Sequence, residues 1–144
     1  FMGQELVELE RINCHHNYTV KEKHFGHEVW LTRKGAVNAA EGRKALIPGS
    51  MGTASYVVEG KGYPGGLMSA PHGAGRRFSR TEARRRFTVD DLAARMEGIE
   101  YRPGEEFIDE IPDAYKDIDV VMRDAEPLVP VLHRLRQVMN VKGT

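Results

Sequence analysis

The sequence has little of what disulfide-bonded, membrane-spanning or strongly charged proteins require. It contains one cysteine, Cys14, in 144 residues, so no disulfide can form within the chain, and a cytoplasmic location is expected. No hydrophobic run is long enough to span a bilayer, and no secretory signal is visible. The formal net charge of +0 does not by itself indicate a nucleic-acid partner.

What is present is a globular composition with an uneven distribution of charge. Hydrophobic residues make up 40% of the chain and charged residues 29%, which excludes disorder and is enough for one domain with a core. Arginines gather in residues 76–86, whereas acidic residues crowd residues 105–119. We expect this acidic segment to lie on the surface, as we do for His15, His24 and His27.

The spacing of apolar, turn-forming and capping residues predicts an α+β fold, a mixed sheet with a few helices. Strands are predicted at residues 5–12, 28–33, 54–58 and 131–142. The predicted helices are 80–87, with Ser79 and Glu82 as a capping box, 89–96 after Thr88 as N-cap, and a third from Asp117 or Asp119 to near Pro127.

Two adjacent histidines in the segment Asn-Cys-His-His-Asn-Tyr are the first candidate site residues. Successive side chains on a strand face opposite sides, so at most one of His15 and His16 serves a given site. A neutral imidazole is a common ligand for zinc or manganese. The alternative is a surface histidine pair beside a turn.

The segment Ile-Pro-Gly-Ser-Met-Gly-Thr-Ala-Ser is the second candidate. Its turn could expose the N–H groups of Gly49, Ser50 and Gly52 to an anion, or it could be a plain loop between strands. It is not a phosphate-binding P-loop, because no Gly-Lys-Ser/Thr closes it.

The third candidate is the segment Pro-His-Gly-Ala-Gly-Arg around His72. Its small residues allow close approach of a ligand to the backbone, and the arginines and the helix start that follow favour phosphate. Arg80 and Arg84 lie one helical turn apart, either to track RNA phosphates or as a solvated face. From the residues alone, His72 is a general acid or base, a metal ligand, a nucleophile or a structural turn histidine.

Six segments occur along the chain in the following order: INCHHNY, RKGAV, LIPGSMGTASYVV, HGAGRRFSRTEARRRF, IPDAYKDIDVVM and LRQVMNVKG. Taken together, they resemble the C-terminal part of the RtcB family of RNA-splicing ligases. The resemblance implies that residues 1–144 are the C-terminal part of an RtcB-like ligase domain whose N-terminal part is absent. It also implies an enzyme of tRNA splicing and RNA repair, which uses GTP and manganese to join RNA 3′-phosphate or 2′,3′-cyclic phosphate ends to 5′-hydroxyl ends.

The resemblance assigns roles to individual residues. His72 matches the histidine that becomes covalently guanylylated, His16 matches a metal ligand, and Lys142 matches the lysine that reads the guanine base. We expect Arg76, Arg80 and Arg84 to hold RNA phosphates. The remaining residues of the predicted nucleotide site are Asn17, Pro48, Gly49, Ser50, Met51, Ser55, Gly73, Ala74, Gly75 and Tyr115.

The chain also departs from the family pattern at the metal site. The other ligands of the family's two manganese ions, an Asp-x-x-Cys pair and two histidines, belong to the N-terminal part, so we expect this chain alone to be inactive. The family's activator archease is a candidate partner. Two alternatives are a non-catalytic guanine-nucleotide or RNA-binding fragment, and a metal-dependent phosphoesterase in which His72 is an acid or base and is never covalently modified.

Overall fold

The computed structural model describes residues 7–142 and has the α+β architecture predicted from the sequence. Three short 3-10 helices, at Pro64–Gly66, Glu105–Glu110 and Pro112–Ala114, accompany the regular elements. The strands are β1 Asn17–His24, β2 His27–Lys34, β3 Ala36–Asn38, β4 Lys44–Pro48, β5 Ser55–Glu59, β6 Ser69–Pro71, β7 Glu100–Tyr101, β8 Val131–Leu135 and β9 Met139–Asn140. The helices are α1 Arg80–Arg86, α2 Val89–Arg95 and α3 Ile118–Asp124.

The strands of residues 7–142 form four small sheets rather than one large sheet. β1 and β2 form an antiparallel hairpin, β3 pairs with β6, and β4, β5 and β8 form a three-stranded antiparallel sheet in the order β4-β5-β8. The parallel pair β7 and β9 brings the end of the chain beside the segment that follows α2. No helix within this part of the chain is long and apolar enough to cross a membrane.

The hydrophobic core consists of two clusters that meet at one aromatic residue. One cluster joins the three-stranded sheet to α3 and contains Ile47 and Val58. The other joins α1 and α2 to the 3-10 helix Glu105–Glu110 and contains Leu92 and Ile111. Tyr115, partly buried, packs against both clusters, so it lies at the junction where the candidate site is built.

The strand predictions are confirmed at residues 28–33 and 54–58, which correspond to β2 and β5 within two residues. The prediction for residues 131–142 is confirmed only in part, because β8 and β9 are separated by residues 136–138.

The strand predicted at residues 5–12 is wrong where the structure describes it. Residues 7–12 are irregular, residues 5 and 6 lie outside the described residues, and the strand begins at Asn17. Two physical reasons explain the error. The inward face of β1 carries Glu22 and His24 in place of apolar residues, so the alternation is hidden. The hairpin turn, moreover, is Phe25-Gly26, with positive φ at both residues, a conformation in which phenylalanine is uncommon.

All three predicted helices are confirmed, and their caps differ in one respect. Asp117 caps α3 by accepting a hydrogen bond from the Asp119 N–H, and α3 ends three residues before Pro127. Ser79 caps α1 by accepting from the Glu82 N–H, but the capping box predicted there is incomplete.

The carboxylate of Glu82 is drawn instead to the Arg86 guanidinium, one turn along α1. The complete capping box is at α2. There Thr88 and Asp91 exchange hydrogen bonds between side chain and backbone in both directions.

A buried ion cluster fastens the hairpin to the rest of the fold. Arg33, 2% exposed, donates to both carboxylate oxygens of Glu22 at 2.6 and 3.0 Å and to the hydroxyl of Ser69, the first residue of β6. The Nε2 atom of His24 lies 2.9 Å from the same carboxylate. His24 is 6% exposed, so the prediction of a surface position for this histidine is wrong.

Removing the charge of Glu22 should therefore destabilise the chain. The hydrogen bond from Arg33 lowers the pKa of Glu22 below its ordinary value of about 4.5. Glu22→Gln should lower the free energy of unfolding at pH 7 by about 2 kcal/mol, because a buried guanidinium loses its charged acceptor. A carboxyl group whose pKa is lower in the folded state than in the unfolded state contributes its full stabilisation at a pH above its unfolded-state pKa. That contribution is lost as the pH falls through its folded-state pKa. The difference in free energy of unfolding between wild type and Glu22→Gln should therefore shrink as the pH falls through the folded-state pKa of Glu22.

Denaturant unfolding of both proteins across this pH range measures the effect. Glu28→Gln is the matched control, since Glu28 lies in the same hairpin and pairs with Lys21 at an exposed position. We expect little change in that variant, because exposed ion pairs contribute little. Equal losses in the two variants would contradict the role given to the buried cluster.

Candidate functional site

The orientation of His72 is set by the strand pair that precedes it. β6 ends at Pro71, which is paired with Ala36 of β3, so His72 lies beside Gly35. The Nδ1 atom of His72 is 2.8 Å from the Gly35 carbonyl oxygen. A carbonyl can only accept, so Nδ1 must carry the hydrogen, and in the neutral ring the lone pair is on Nε2. The imidazole is thus held with a nucleophilic nitrogen directed away from its anchor.

Gly35 ties His72 to the segment that contains the paired histidines. Its N–H donates to the His16 carbonyl at 2.8 Å and contacts the Asn17 amide oxygen at 3.3 Å, while its carbonyl accepts from His72. The residue has φ +71°, which favours glycine. Sequence reasoning did not single out Gly35, although a glycine between two strand-forming segments was the available signal.

The two histidines of the first candidate segment diverge, as the sequence predicts. The ring of His16 lies 4.9 Å from that of His72, whereas the ring of His15 packs edge-on against Tyr18 at 6.5 Å. His16 therefore presents an exposed imidazole beside the candidate nucleophile. Within residues 7–142 no group of three or more His, Cys, Asp or Glu side chains is close enough to hold a metal ion.

The glycine loop after His72 is held on two sides by backbone hydrogen bonds. The Ala74 N–H donates to the Pro48 carbonyl at 3.1 Å, and a Cβ on Gly73 would lie 3.0 Å from that oxygen. On the other side the Gly75 carbonyl accepts from the Lys116 N–H at 2.9 Å. The second and third candidate segments are thus in direct contact, and Ser55 lies opposite Pro48 across the β4–β5 pair.

The loop between β4 and β5 uses its N–H groups internally. The Gly49 N–H donates to the Ala54 carbonyl at 3.0 Å, the Ser50 N–H to the Thr53 hydroxyl at 2.7 Å, and the Gly52 N–H faces the Ser50 hydroxyl at 3.4 Å. Of the two alternatives for this segment, these contacts favour the plain loop, because the three N–H groups have partners within the loop. The threonine hydroxyl closes the turn from inside, a contact that the spacing of glycines does not indicate.

Tyr115 and Lys142, distant in sequence, meet at one carboxylate. The Tyr115 hydroxyl and the Lys142 ammonium donate to the same oxygen of Glu110 at 2.6 and 2.5 Å. Burial raises the pKa of Glu110, but the hydrogen bonds from Lys142 and Tyr115 outweigh burial, and the pKa lies below its ordinary value. Burial and the hydrogen bond to Glu110 raise the pKa of Tyr115 to about 12. Beside them, Met51 and Lys142 line a narrow cavity with Phe107.

The three candidate RNA-binding arginines are joined to the acidic segment. Arg80 and Arg84 donate to the carboxylate of Asp109 at 3.2 and 2.5 Å, and their side chains are 71% and 49% exposed. Arg76 points inward, donates to the Asp109 carbonyl and the Tyr115 hydroxyl, and stacks over the Tyr115 ring at 4.8 Å.

The prediction that the acidic segment lies on the surface is wrong for two of its residues. Asp109 is 1% exposed and Glu110 is 8% exposed. Sequence reasoning missed both as site residues, although the complementary charge of the arginine and acidic segments was a signal that they pair. Four cationic side chains therefore converge on these two carboxylates, namely Arg76, Arg80, Arg84 and Lys142.

Comparison with known proteins places this chain in one family. The family profile described as tRNA-splicing ligase RtcB matches residues 2–143. The RNA-splicing ligase RtcB of Escherichia coli K12 is 51% identical over 96% of this chain and 34% of its own length. The tRNA-splicing ligase RtcB of Methanopyrus kandleri is 39% identical over 99% of this chain and 17% of its own length. The chain thus spans about a third of the length of the Escherichia coli relative that it matches.

Proposed function

The chain belongs to the RtcB family of RNA-splicing ligases, and we propose that it carries the nucleophile and much of the guanine-nucleotide site of such a ligase. The proposed reaction joins an RNA 3′-phosphate or 2′,3′-cyclic phosphate end to a 5′-hydroxyl end, with GTP as co-substrate. The observation that carries the proposal is the hydrogen bond from His72 Nδ1 to the Gly35 carbonyl, which leaves Nε2 as the reactive nitrogen.

The proposed first step is attack of the His72 Nε2 lone pair on the α-phosphorus of GTP. A phosphorus–nitrogen bond forms, the bond to the bridging oxygen breaks, and pyrophosphate leaves. The Gly35 carbonyl stabilises the positive charge that develops on the imidazole, because the Nδ1 hydrogen bond becomes charge-assisted. The guanylyl group then passes to the RNA 3′-phosphate, and the 5′-hydroxyl of the second RNA displaces GMP.

The base of the nucleotide is proposed to lie at the junction of the two core clusters. Lys142, a donor-only side chain, suits the guanine carbonyl, and Tyr115 offers an aromatic ring beside it. The neighbouring wall would consist of Pro48 at the end of β4, the loop residues Gly49, Ser50 and Met51, and Ser55 at the start of β5. Side chains and carbonyl groups of that loop, rather than its N–H groups, supply its contacts. Asn17 and the loop Gly73, Ala74 and Gly75 approach the site from the His72 side.

The manganese ions of the proposed reaction fit this chain only in part. His16 offers one imidazole nitrogen beside His72, whereas a manganese site draws several oxygen and nitrogen donors. The residues described here do not by themselves make such a site, so we assign no step to the metal. We propose that His16 joins ligands from the N-terminal part of the family's longer chains.

RNA phosphates are proposed to bind at the arginine helix. Arg80 and Arg84 are exposed, so a phosphate can approach their guanidinium groups beside the Asp109 carboxylate. Arg76, directed inward, is better suited to hold the glycine loop against Tyr115 while it contacts a phosphate that enters the site. A cytoplasmic location and an interaction with archease stay predictions.

A second candidate function is a non-catalytic guanine-nucleotide or RNA-binding fragment. The observation that favours it is the share of the Escherichia coli relative, about a third, that this chain spans. The nucleotide and RNA contacts proposed above would then persist without ligation.

Covalent labelling separates the candidates. The chain, with the N-terminal part of an RtcB ligase supplied, is incubated with manganese and GTP labelled at the α-phosphate, and is then denatured. A ligase site retains the label through an acid-labile phosphoramidate. A binding fragment or a phosphoesterase in which His72 acts as an acid or base releases it.

The role of Lys142 leads to a prediction of nucleotide preference. Lys142→Met should weaken the preference for GTP over ATP by roughly ten- to a hundredfold, since a charged hydrogen bond contributes about 1.5–3 kcal/mol. Competition binding with the two nucleotides measures the ratio. Lys61→Met, which removes a lysine that pairs with Glu126 on the surface, is the control. An unchanged ratio in Lys142→Met would contradict the base-reading role and leave Lys142 only as a partner of Glu110.

A further inference from the structure

Glu110 is a buried carboxylate that faces donors from three separate parts of the chain. One oxygen accepts from the Tyr115 hydroxyl at 2.6 Å and the Lys142 ammonium at 2.5 Å. The other lies 3.3 Å from a guanidinium nitrogen of Arg80 and 3.6 Å from one of Arg76. The two oxygens thus divide between the proposed base-reading residues and the proposed RNA arginines.

Lys142 depends on such a partner for its position. Its side chain has a long flexible stem, is 34% exposed, and follows β9, a strand of two residues. The ammonium group is compact and can donate in many directions, so a selective contact with one base requires a fixed location. The Glu110 carboxylate supplies that location from beside the second core cluster, in which its sequence neighbours Phe107 and Ile111 are buried.

We propose that Glu110 is the positioning residue for base selection, holding the Lys142 ammonium and the Tyr115 ring where the guanine carbonyl is read. This inference rests on the proposed role of Lys142 and extends it to a residue that does not itself contact the base. Because Glu110 also faces Arg76 and Arg80, one carboxylate joins base reading to the arginine cluster.

Replacement by glutamine tests the charge while keeping the shape. In Glu110→Gln only the amide oxygen can accept hydrogen bonds from the donors that face residue 110. The amide NH₂ group is itself a donor, so it cannot accept from the donors on its side. The Lys142 ammonium then loses its counter-charge and its fixed position. We expect the preference for a guanine nucleotide to fall by roughly ten- to a hundredfold, the same loss as in Lys142→Met.

The experiment measures GMP and AMP binding to the 144-residue chain by NMR titration. Both nucleotides bind without a covalent step, so no metal is needed. The proteins are wild type, Glu110→Gln, Lys142→Met and the double variant. If Glu110 acts through Lys142, the double variant loses no more preference than either single variant. Asp113→Asn is the control, since Asp113 pairs with Arg95 in the same segment and should leave the GMP to AMP ratio unchanged.

Each outcome decides the inference. If Glu110→Gln keeps the ratio of GMP to AMP binding and Lys142→Met loses it, the positioning role is overturned and the proposed function stands. Additive losses in the double variant lead to the same conclusion. Equal binding of GMP and AMP by the wild type overturns both. If Glu110→Gln does not fold, Glu110→Asp replaces it. That variant keeps the charge but withdraws it by one methylene group, and it must show the same loss of preference.

Discussion

Replacing His72 by alanine should abolish covalent guanylylation altogether. The imidazole is the nucleophile of the proposed first step, and its hydrogen bond to the Gly35 carbonyl fixes its orientation. Removal of a nucleophile that forms the covalent bond leaves no route to the labelled intermediate. The measurement is retention of α-phosphate label after denaturation, with manganese and the N-terminal part of an RtcB ligase supplied.

The fold of the His72→Ala variant should stay intact. The ring is only half-buried, and its removal leaves the β3–β6 pair and the bonds of the glycine loop in place. A circular dichroism spectrum and an unfolding curve close to those of the wild type establish this. His27→Ala, at an exposed hairpin position, is the matched control and should label normally. Label retained in His72→Ala would remove His72 from the nucleophile role.

The second large effect is expected from supplying the part of an RtcB ligase that this chain does not span. The 144-residue chain alone should neither bind manganese tightly nor ligate RNA, because His16 provides a single imidazole donor near His72. Addition of an RtcB N-terminal part, in trans or by fusion, should restore both properties. His16→Ala should cancel the restoration. Calorimetry with manganese and a ligation assay with 3′-phosphate and 5′-hydroxyl RNA ends measure the two effects.

Matched histidine variants make this test specific. His15→Ala should leave the restored activity in place, since the His15 ring packs against Tyr18, whereas the ring beside His72 is that of His16. Micromolar manganese binding by the isolated chain, unaffected by His16→Ala, would contradict the account. The ion would then have to be held by other groups of this chain.

Features that depend on neighbouring residues were the most predictable from the sequence. Ser79, Thr88 and Asp117 act through N–H groups within the next turn, so a few residues contain the whole signal for each helix start. The His72 loop was also identified early, because glycines and arginines around a histidine are a local pattern. What His72 Nδ1 contacts is not local: Gly35 is 37 residues earlier in the chain.

Features that depend on distant partners could not be predicted in this way. Arg33 gathers Glu22 and Ser69 into one buried cluster, and polar residues in such a cluster break the apolar alternation by which strands are recognised. Asp109 and Glu110 look like solvated acids until the arginines from α1 and Lys142 from the chain end are placed beside them. The cationic residues that pair with these two acids lie too far along the chain to be found among their sequence neighbours.

The closed hydrogen bonding of the loop between β4 and β5 has a consequence for the thermodynamics of nucleotide binding. Thr53 fastens the turn from within, and the Gln137 amide holds the Ser50 carbonyl from outside at 2.7 Å. A loop that is already rigid gives up little conformational entropy when a ligand arrives, so more of the contact energy appears as affinity. Amide hydrogens at Gly49 and Ser50 should accordingly exchange slowly with solvent before any nucleotide binds, and binding should change their protection little.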